Sequence, residues 1–266
     1  MTILQAVLLG LLQGVTEFLP VSSSGHLVIL QALMGLENVP VLFDVMLHMA
    51  TLVVVIFFFR KRISDILRSI FRWAVRKADE SDRPNLILTL QLIAASFLTA
   101  VIGLGISSLE INEKPGVVSL LMIVTAVILL ISMLGRPKTD LYSMGWGRSL
   151  LIGAAQGLGV FPGISRSGIT IGSGLLLGVD RKSAGEFSFL LSIPAISGAF
   201  LLSVKDAAGM SYSVPAVSLI SGLAAAVAAG YFSLKLLMWI ISGGKFWYFS
   251  FYLIPAGILG IIYFGI

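Results

Sequence analysis

Two short segments concentrate the residues able to do chemistry, QGVTEFLPVSSSGH at 13–26 and PGISRSGIT at 162–170. In the first, Gln13 and Glu17 stand four apart and share one face of a helix. A carboxylate inside an apolar run is costly and by default functional. Glu17 can serve as a polar anchor for Arg166, as a reacting group, or as both. Pro20 lacks an N–H and ends the helix that carries Glu17. Ser22, Ser23 and Ser24 then open a second helix, where free N–H groups and hydroxyls make a phosphate cradle. The same serines can simply cap that helix. His26 lies one turn in and can move a proton near neutral pH. Ser23 and His26 are three apart and can face one pocket, with Ser22 and Ser24 turned about 100° to either side. Two mechanisms stay open on these residues. Ser23 attacks phosphorus with His26 taking its proton, or His26 activates water and the serines only donate hydrogen bonds.

In the second segment Pro162 and Gly163 break the chain and Ser165, Arg166 and Ser167 open a helix. Arg166 is the one cation between Arg148 and Arg181. A forked guanidinium beside a helix N-terminus suits a phosphate or diphosphate. Thr170, four residues on, shares its face and is a further donor to the phosphate or the wall. Glu17, Gln13 and an imidazole do not make a zinc site. Glu17, with Gln13 as a second contact, could hold Mg²⁺ or Ca²⁺ if substrate phosphates and water complete the shell. Asp44 and Glu186 each lie near the start of a later helix and can complement its dipole. Glu186 sits in the more apolar context, and His48 follows Asp44 by one turn.

These residues need a frame, and composition says which. Of 266 residues 57% are hydrophobic and 12% charged, and the mean hydropathy is +1.01. Soluble domains carry roughly 25% charged residues, so the chain reads as a single membrane domain, 1–266. It has no cysteine, which excludes disulfides and thiolate chemistry. No signal-peptide pattern opens it. The net charge of +5 sits in loops, where an inside-positive bias explains it and nucleic acid is not a partner. Spanning runs fall at 41–59, 86–106, 117–135, 185–204, 215–234 and 246–265. The segment 60–83 between the first two carries eight Lys/Arg and is placed inside, as are 136–148 and the stretch from Lys235 to Lys245. The link at 107–116 and Lys205-Asp206 are placed outside, and so are both termini.

The regions 2–36 and 149–180 do not fit the spanning pattern. Each is a pair of short apolar runs broken by Pro, Gly and polar residues, the mark of re-entrant half-helices at a buried or wet site. Shifted by 143 residues they match: Gln13 meets Gln156, Gly14 Gly157, Phe18 Phe161, Ser22 Ser165, Ser24 Ser167, Gly25 Gly168 and Gly35 Gly178. Three spans separate the pairs, so the second enters from the opposite side. The expected fold is an all-α polytopic membrane protein of about six transmembrane helices plus two re-entrant half-helix pairs in an inverted-topology repeat. The halves are approximately 1–135 and 144–266. Inverted repeats place their site near the midplane.

The two motifs together resemble those of the undecaprenyl-diphosphate phosphatase family, also called bacitracin-resistance proteins. That family carries [Glu/Gln]-x-x-x-Glu leading into Pro-x-Ser-Ser-[Ser/Thr]-Gly-His, here Gln13 to Glu17 and Pro20 to His26. Its distant Pro-Gly-x-Ser-Arg-Ser-x-x-Thr is complete here from Pro162 to Thr170. The GEFSFLL-x-x-P stretch at 185–194 is also similar. The resemblance implies hydrolysis of undecaprenyl diphosphate to undecaprenyl phosphate and phosphate, in cell-wall carrier-lipid recycling. It implies a divalent cation, and a site open to the outer face of the bacterial plasma (inner) membrane. Glu17, Ser23, His26 and Arg166 are then the catalytic candidates, with Gln13, Ser22, Ser24, Ser165, Ser167 and Thr170 binding substrate. Gln13 stands where Glu is the alternative, which lowers the charge available to a metal. The partners are the polyprenyl diphosphate lipid and the bilayer, and a homodimer stays open.

Two other classes compete. Lipid phosphatases of the phosphatidic-acid phosphatase type need a His six residues after the Ser-Arg arginine, where this chain has Gly172. They also need a Lys where it has Leu129. A flippase or anion transporter would use the same inverted repeat without breaking a bond.

Overall fold

A computed structural model describes residues 1–36, 39–108, 114–207 and 214–265, with 206 and 207 described by their backbone alone. Eleven α-helices run through the described residues. They are α1 (Ile3–Phe18), α2 (Ser23–Leu33), α3 (Val41–Phe58), α4 (Arg60–Ala74), α5 (Arg83–Ser107) and α6 (Pro115–Ile131). After these come α7 (Gly145–Leu158), α8 (Arg166–Leu176), α9 (Arg181–Ala207), α10 (Ala216–Ser242) and α11 (Ser250–Phe264). Six spans among the described residues are long and apolar enough to cross a membrane: α3, α5, α9, α10, α6 with the 3-10 turn that extends it to Leu134, and α11 with the 3-10 turn that leads into it from Phe246. The chain is an all-α polytopic membrane protein. The spans leave many large apolar side chains uncovered, as with Phe97, Phe232 and Ile262 at 72%, 70% and 74% exposure, which is what contact with lipid demands. The expected outside link at 107–116 and the side chain of Asp206 lie partly or wholly outside the described residues.

The two short pairs form where the breakers put them. In α1 a capping box between Thr2 and Gln5 starts the helix, which stops at Phe18 with Leu19 extended ahead of Pro20. Ser22 caps α2, its Oγ accepting from Gly25 N at 3.3 Å. Ser165 caps α8 in the same way, accepting from Gly168 N at 3.0 Å. Both second helices end on a glycine in the left-handed region, Gly35 at φ 64° and Gly178 at φ 83°. These glycines close matching loops through Leu36 N to Gln31 O and Val179 N to Gly174 O, each 2.9 Å. The caps, glycines and loop bonds of α2 and α8 are related by the 143-residue shift.

Early helices pack on late ones. Helix α1 lies on α10, where a Cβ on Gly10 would come within 2.1 Å of Gly222 O and one on Gly14 within 2.5 Å of Ala226 O. Helix α7 lies on α5, where a Cβ on Gly153 would come within 2.5 Å of Ala95 O. Small residues let backbones approach this closely, the usual currency of helix association in lipid. Phe18, Phe59 and Phe189 fill the space behind α1, with ring centroids 5.8 and 6.0 Å apart.

Two sequence expectations change. The basic segment 60–83 is not a plain loop: Arg60–Ala74 is amphipathic helix α4, with Ile66 and Ser69 buried and Leu67 and Phe71 exposed beside its basic residues. Its end is tied down by Ser69 Oγ donating to Asp82 at 2.8 Å. Lys235 is not in a loop either. The apolar run LLMWIIS beyond it carries α10 on to Ser242, and Lys235 leaves the helix exposed, as a long charged stem permits.

Candidate active site

The four short helices α1, α2, α7 and α8 converge on one cavity of about 310 Å³, lined by Glu17, Ser22, Ser23, Ser24, His48, Thr99, Gln156, Ser165 and Arg166 among others. Glu17 lines it and is 6% exposed. Its Oε1 accepts from Arg166 Nη2 at 2.7 Å. Its Oε2 accepts from Ser23 Oγ at 2.6 Å and from Gln13 Nε2 at 3.1 Å, and His48 Nε2 stands 3.4 Å away. The i, i+4 pairing of Gln13 with Glu17 is the one that helix spacing dictates. The Glu17–Arg166 pair joins α1 to α8 across 149 residues. Breaking such a buried pair leaves a naked charge and costs about 3–5 kcal/mol.

The guanidinium is only half used. Arg166 Nη1 is buried and without a hydrogen-bond partner among the described residues, on a side chain that lines the cavity. A buried, charged donor left unpaired is expensive unless a ligand completes it. The cavity floor adds the hydroxyls at the starts of α2 and α8, where the dipole favours anions. Ser22 Oγ also accepts from Gly163 N at 3.1 Å, which stitches the two chain breaks together. Two hydroxyls pair across each start, Ser22 with Ser24 at 3.5 Å and Ser165 with Ser167 at 3.2 Å.

Not every candidate reaches this centre. His26 does not line the cavity: its Nδ1 lies 2.8 Å from Ser22 O and its Nε2 2.7 Å from Tyr252 OH on α11. The expectation that it shares a pocket with Ser23 fails because the ring turns back along α2. Thr170 is fully buried and bonds Arg166 O at 2.7 Å and Ser188 Oγ at 2.5 Å, so it ties α8 to α9. Ser167 is 1% exposed and stands behind Ser165. Asp44 receives Gln31 Nε2 at 2.9 Å. Glu186 pairs with Arg62, which also bonds Tyr142 OH, away from the cavity. Three polar residues join the site beyond the candidates: His48, which its place after Asp44 had flagged, Gln156, which the 143-residue shift pairs with Gln13, and Thr99, which carries no motif.

A resident cation has a thin donor set here. No group of three or more His, Cys, Asp or Glu occurs among the described residues. Glu17 Oε1 holds a single partner, and Gln13 Oε1 is buried with none among the described residues. The same orphaned oxygen recurs on Gln156, so Gln13 is set apart only by the carboxylate beside it. Gln13 is fully buried, does not line the cavity and turns its amide nitrogen to Glu17, so the single carboxylate fits only a hard cation that arrives with most of its oxygen ligands from phosphate and water.

A family model described as bacitracin resistance protein BacA matches residues 6–259. A Treponema denticola protein named undecaprenyl-diphosphatase is 43% identical over 264 residues, covering 99% of this chain and 98% of the relative. One of the same name from Desulfosudis oleivorans is 41% identical over 262 residues, covering 96% of each. Another from Borreliella burgdorferi is 37% identical over 257 residues, covering 97% of this chain and 96% of the relative.

Proposed function

The chain belongs to the bacitracin resistance protein BacA family, and from that premise we propose how its cavity hydrolyses undecaprenyl diphosphate to undecaprenyl phosphate and inorganic phosphate. The observation that carries the reading is the buried Nη1 of Arg166, without a partner among the described residues, on a side chain that lines a cavity floored by two helix starts. Such a site asks for a multiply charged oxyanion at membrane depth, and a lipid diphosphate supplies one. Arg166 keeps Nη2 on Glu17 and offers Nη1 to the terminal phosphoryl group, while Ser24 and Ser165 donate to its other oxygens.

Ser23 is the nucleophile in this scheme and Glu17 its base. The hydroxyl already points its proton at Glu17 Oε2 at 2.6 Å, a distance typical of a charge-assisted bond. As the Ser23 Oγ–P bond forms, the proton passes to Glu17 and the anhydride P–O bond breaks, with its electron pair leaving on undecaprenyl phosphate. Water then displaces Ser23 from phosphorus, and Glu17 returns the proton to its Oγ. The leaving phosphate is a weak base, with a second pKa of about 6, so it needs no strong general acid. Should water attack directly, Ser23 becomes a donor only and Glu17 the base for water. A divalent cation, when bound, would neutralise diphosphate charge, with Glu17 as the protein oxygen and Gln13 as a neutral outer contact.

The halves 1–135 and 144–266 are inverted copies in this reading. Supporting it are the paired caps and glycine loops at the 143-residue shift and the crossed packing of α1 on α10 and α7 on α5. With the basic segment around α4 inside, the first half-helix pair enters from outside and the site opens to the outer face of the bacterial plasma membrane. The test is phosphate release from undecaprenyl diphosphate by the purified protein, with and without chelator. A flippase or transporter alone releases none.

A further inference from the structure

We infer that Tyr252 and His26 form a latch that positions the Ser22–Ser23 turn, and that His26 serves the reaction through this turn and not as a base. Ser22 sits in the left-handed region at φ 68°, ψ 93°, one of two non-glycine residues there among the described residues. A side chain rarely adopts that conformation, and it persists where the surroundings over-determine it. The surroundings do so on three sides. Ser22 Oγ accepts from Gly25 N and from Gly163 N. Ser22 O accepts the backbone N–H of His26 at 3.1 Å, and the His26 ring lies against that same oxygen at 2.8 Å.

A carbonyl only accepts, so Nδ1 of His26 carries the hydrogen and the neutral ring leaves Nε2 as an acceptor. That acceptor meets Tyr252 OH at 2.7 Å, and the two rings stack with centroids 5.7 Å apart and 18° between planes. Both nitrogens are therefore engaged away from the cavity, which His26 does not line. The chain of contacts runs from Tyr252 on α11 through His26 to Ser22 O. The next residue is Ser23, whose Oγ must stay 2.6 Å from Glu17. Positioning of a reacting atom is worth a great deal, since a misplacement of about 1 Å can cost about 100-fold in rate.

The inference rests on Ser23 belonging to the reactive site, and its test separates the two. Undecaprenyl diphosphate hydrolysis is measured as kcat and KM for wild type, Tyr252→Phe, His26→Asn and His26→Ala, with thermal unfolding of each. An Asn amide nitrogen can replace Nδ1 as donor to Ser22 O but cannot act as a base. The latch predicts that His26→Asn stays within about tenfold of wild type while His26→Ala falls by about 100-fold. Tyr252→Phe, which keeps the stacked ring and loses only the hydroxyl, should lower kcat several-fold with KM unchanged, the mark of a lost positioning contact. The pH profile of His26→Asn should keep the shape of wild type. The inference is overturned if folded His26→Asn is as inactive as His26→Ala, or if added imidazole restores His26→Ala, since either makes the ring a base. Tyr252→Phe at the wild-type kcat removes Tyr252 from the latch. If His26→Ala does not fold, His26→Asn and Tyr252→Phe against wild type still decide. A wild type that releases no phosphate sinks the functional reading, and leaves a different signature from active wild type with dead His26→Asn.

Discussion

Arg166→Lys separates the two jobs of the guanidinium. In the wild type Nη2 pairs with Glu17 at 2.7 Å, and Nη1 has no partner among the described residues and is the nitrogen proposed for the ligand. A lysine ammonium can take over the first job, because it places one charge near Glu17 Oε1, so the buried carboxylate is not abandoned. It cannot fork across to a second acceptor. The loss is then one hydrogen bond to a charged group, about 1.5–3 kcal/mol, felt in the transition state as the phosphoryl oxygens gather charge. At about 1.4 kcal/mol per decade, kcat should fall roughly tenfold to 150-fold. Thermal stability in detergent should change little, in contrast to Arg166→Ala, which strands Glu17 and should cost about 3–5 kcal/mol. The assay is phosphate release from undecaprenyl diphosphate at saturating substrate, with unfolding followed on the same preparation. Turnover of Arg166→Lys within twofold of wild type would falsify the clamp and leave Arg166 as a mere counter-ion.

Glu17→Gln should abolish phosphate release, and wild-type activity should disappear in saturating chelator; full activity in chelator removes the cation. Gln13→Glu should preserve or tighten metal dependence, read as activity against cation concentration. Ser23→Ala should fall by orders of magnitude, and rapid-quench trapping should show a phosphoenzyme burst in wild type. Retention of about a tenth of the rate, a loss of about 1.4 kcal/mol, instead makes Ser23 a donor and water the nucleophile. Gly10→Ala puts a methyl 2.1 Å from Gly222 O and should destabilise by about 1–3 kcal/mol, whereas Gly105→Ala, with nothing within 4 Å, should be neutral or mildly stabilising. Equal melting temperatures for the two would mean that α1 and α10 do not pack this closely.

The elements that position the site were readable because breakers and caps act locally. Pro20, the serine runs, and the matched glycines at 35 and 178 mark where helices stop and start whatever surrounds them. The six spans follow from apolar length alone. Side-chain direction is less local. Ser23 and His26 are three apart, and spacing puts them on one face. The ring nevertheless turns to Ser22 O and to Tyr252, a partner 226 residues away that no pattern announces. Thr170 likewise follows Arg166 by one turn, yet the hydroxyl of Ser188 draws it into the α8–α9 contact. Thr99 reaches the cavity only because Gly153 lets α7 settle against α5, with Thr99 Oγ1 bonding Gly153 O at 2.7 Å. Thr99 is one more polar residue in an apolar helix until that approach is known.

The packing of early helices on late ones bears on how the protein is made. Helix α1 leaves the ribosome well before the helix it rests on, α10, which begins at Ala216. The arginine that neutralises Glu17 comes 149 residues after it. At synthesis rates of about 5–20 residues per second, the roughly 200 residues up to α10 take about 10–40 s. For that time the nascent first hairpin carries a carboxylate and an amide with neither their counter-charge nor their small-residue seat. It must wait at the membrane surface, shallow in the bilayer or sheltered by the insertion machinery, and drop to depth only when the second half arrives. A chain stopped before α8 should therefore leave its first hairpin open to water-soluble reagents and proteases, and completion of the chain should seal it.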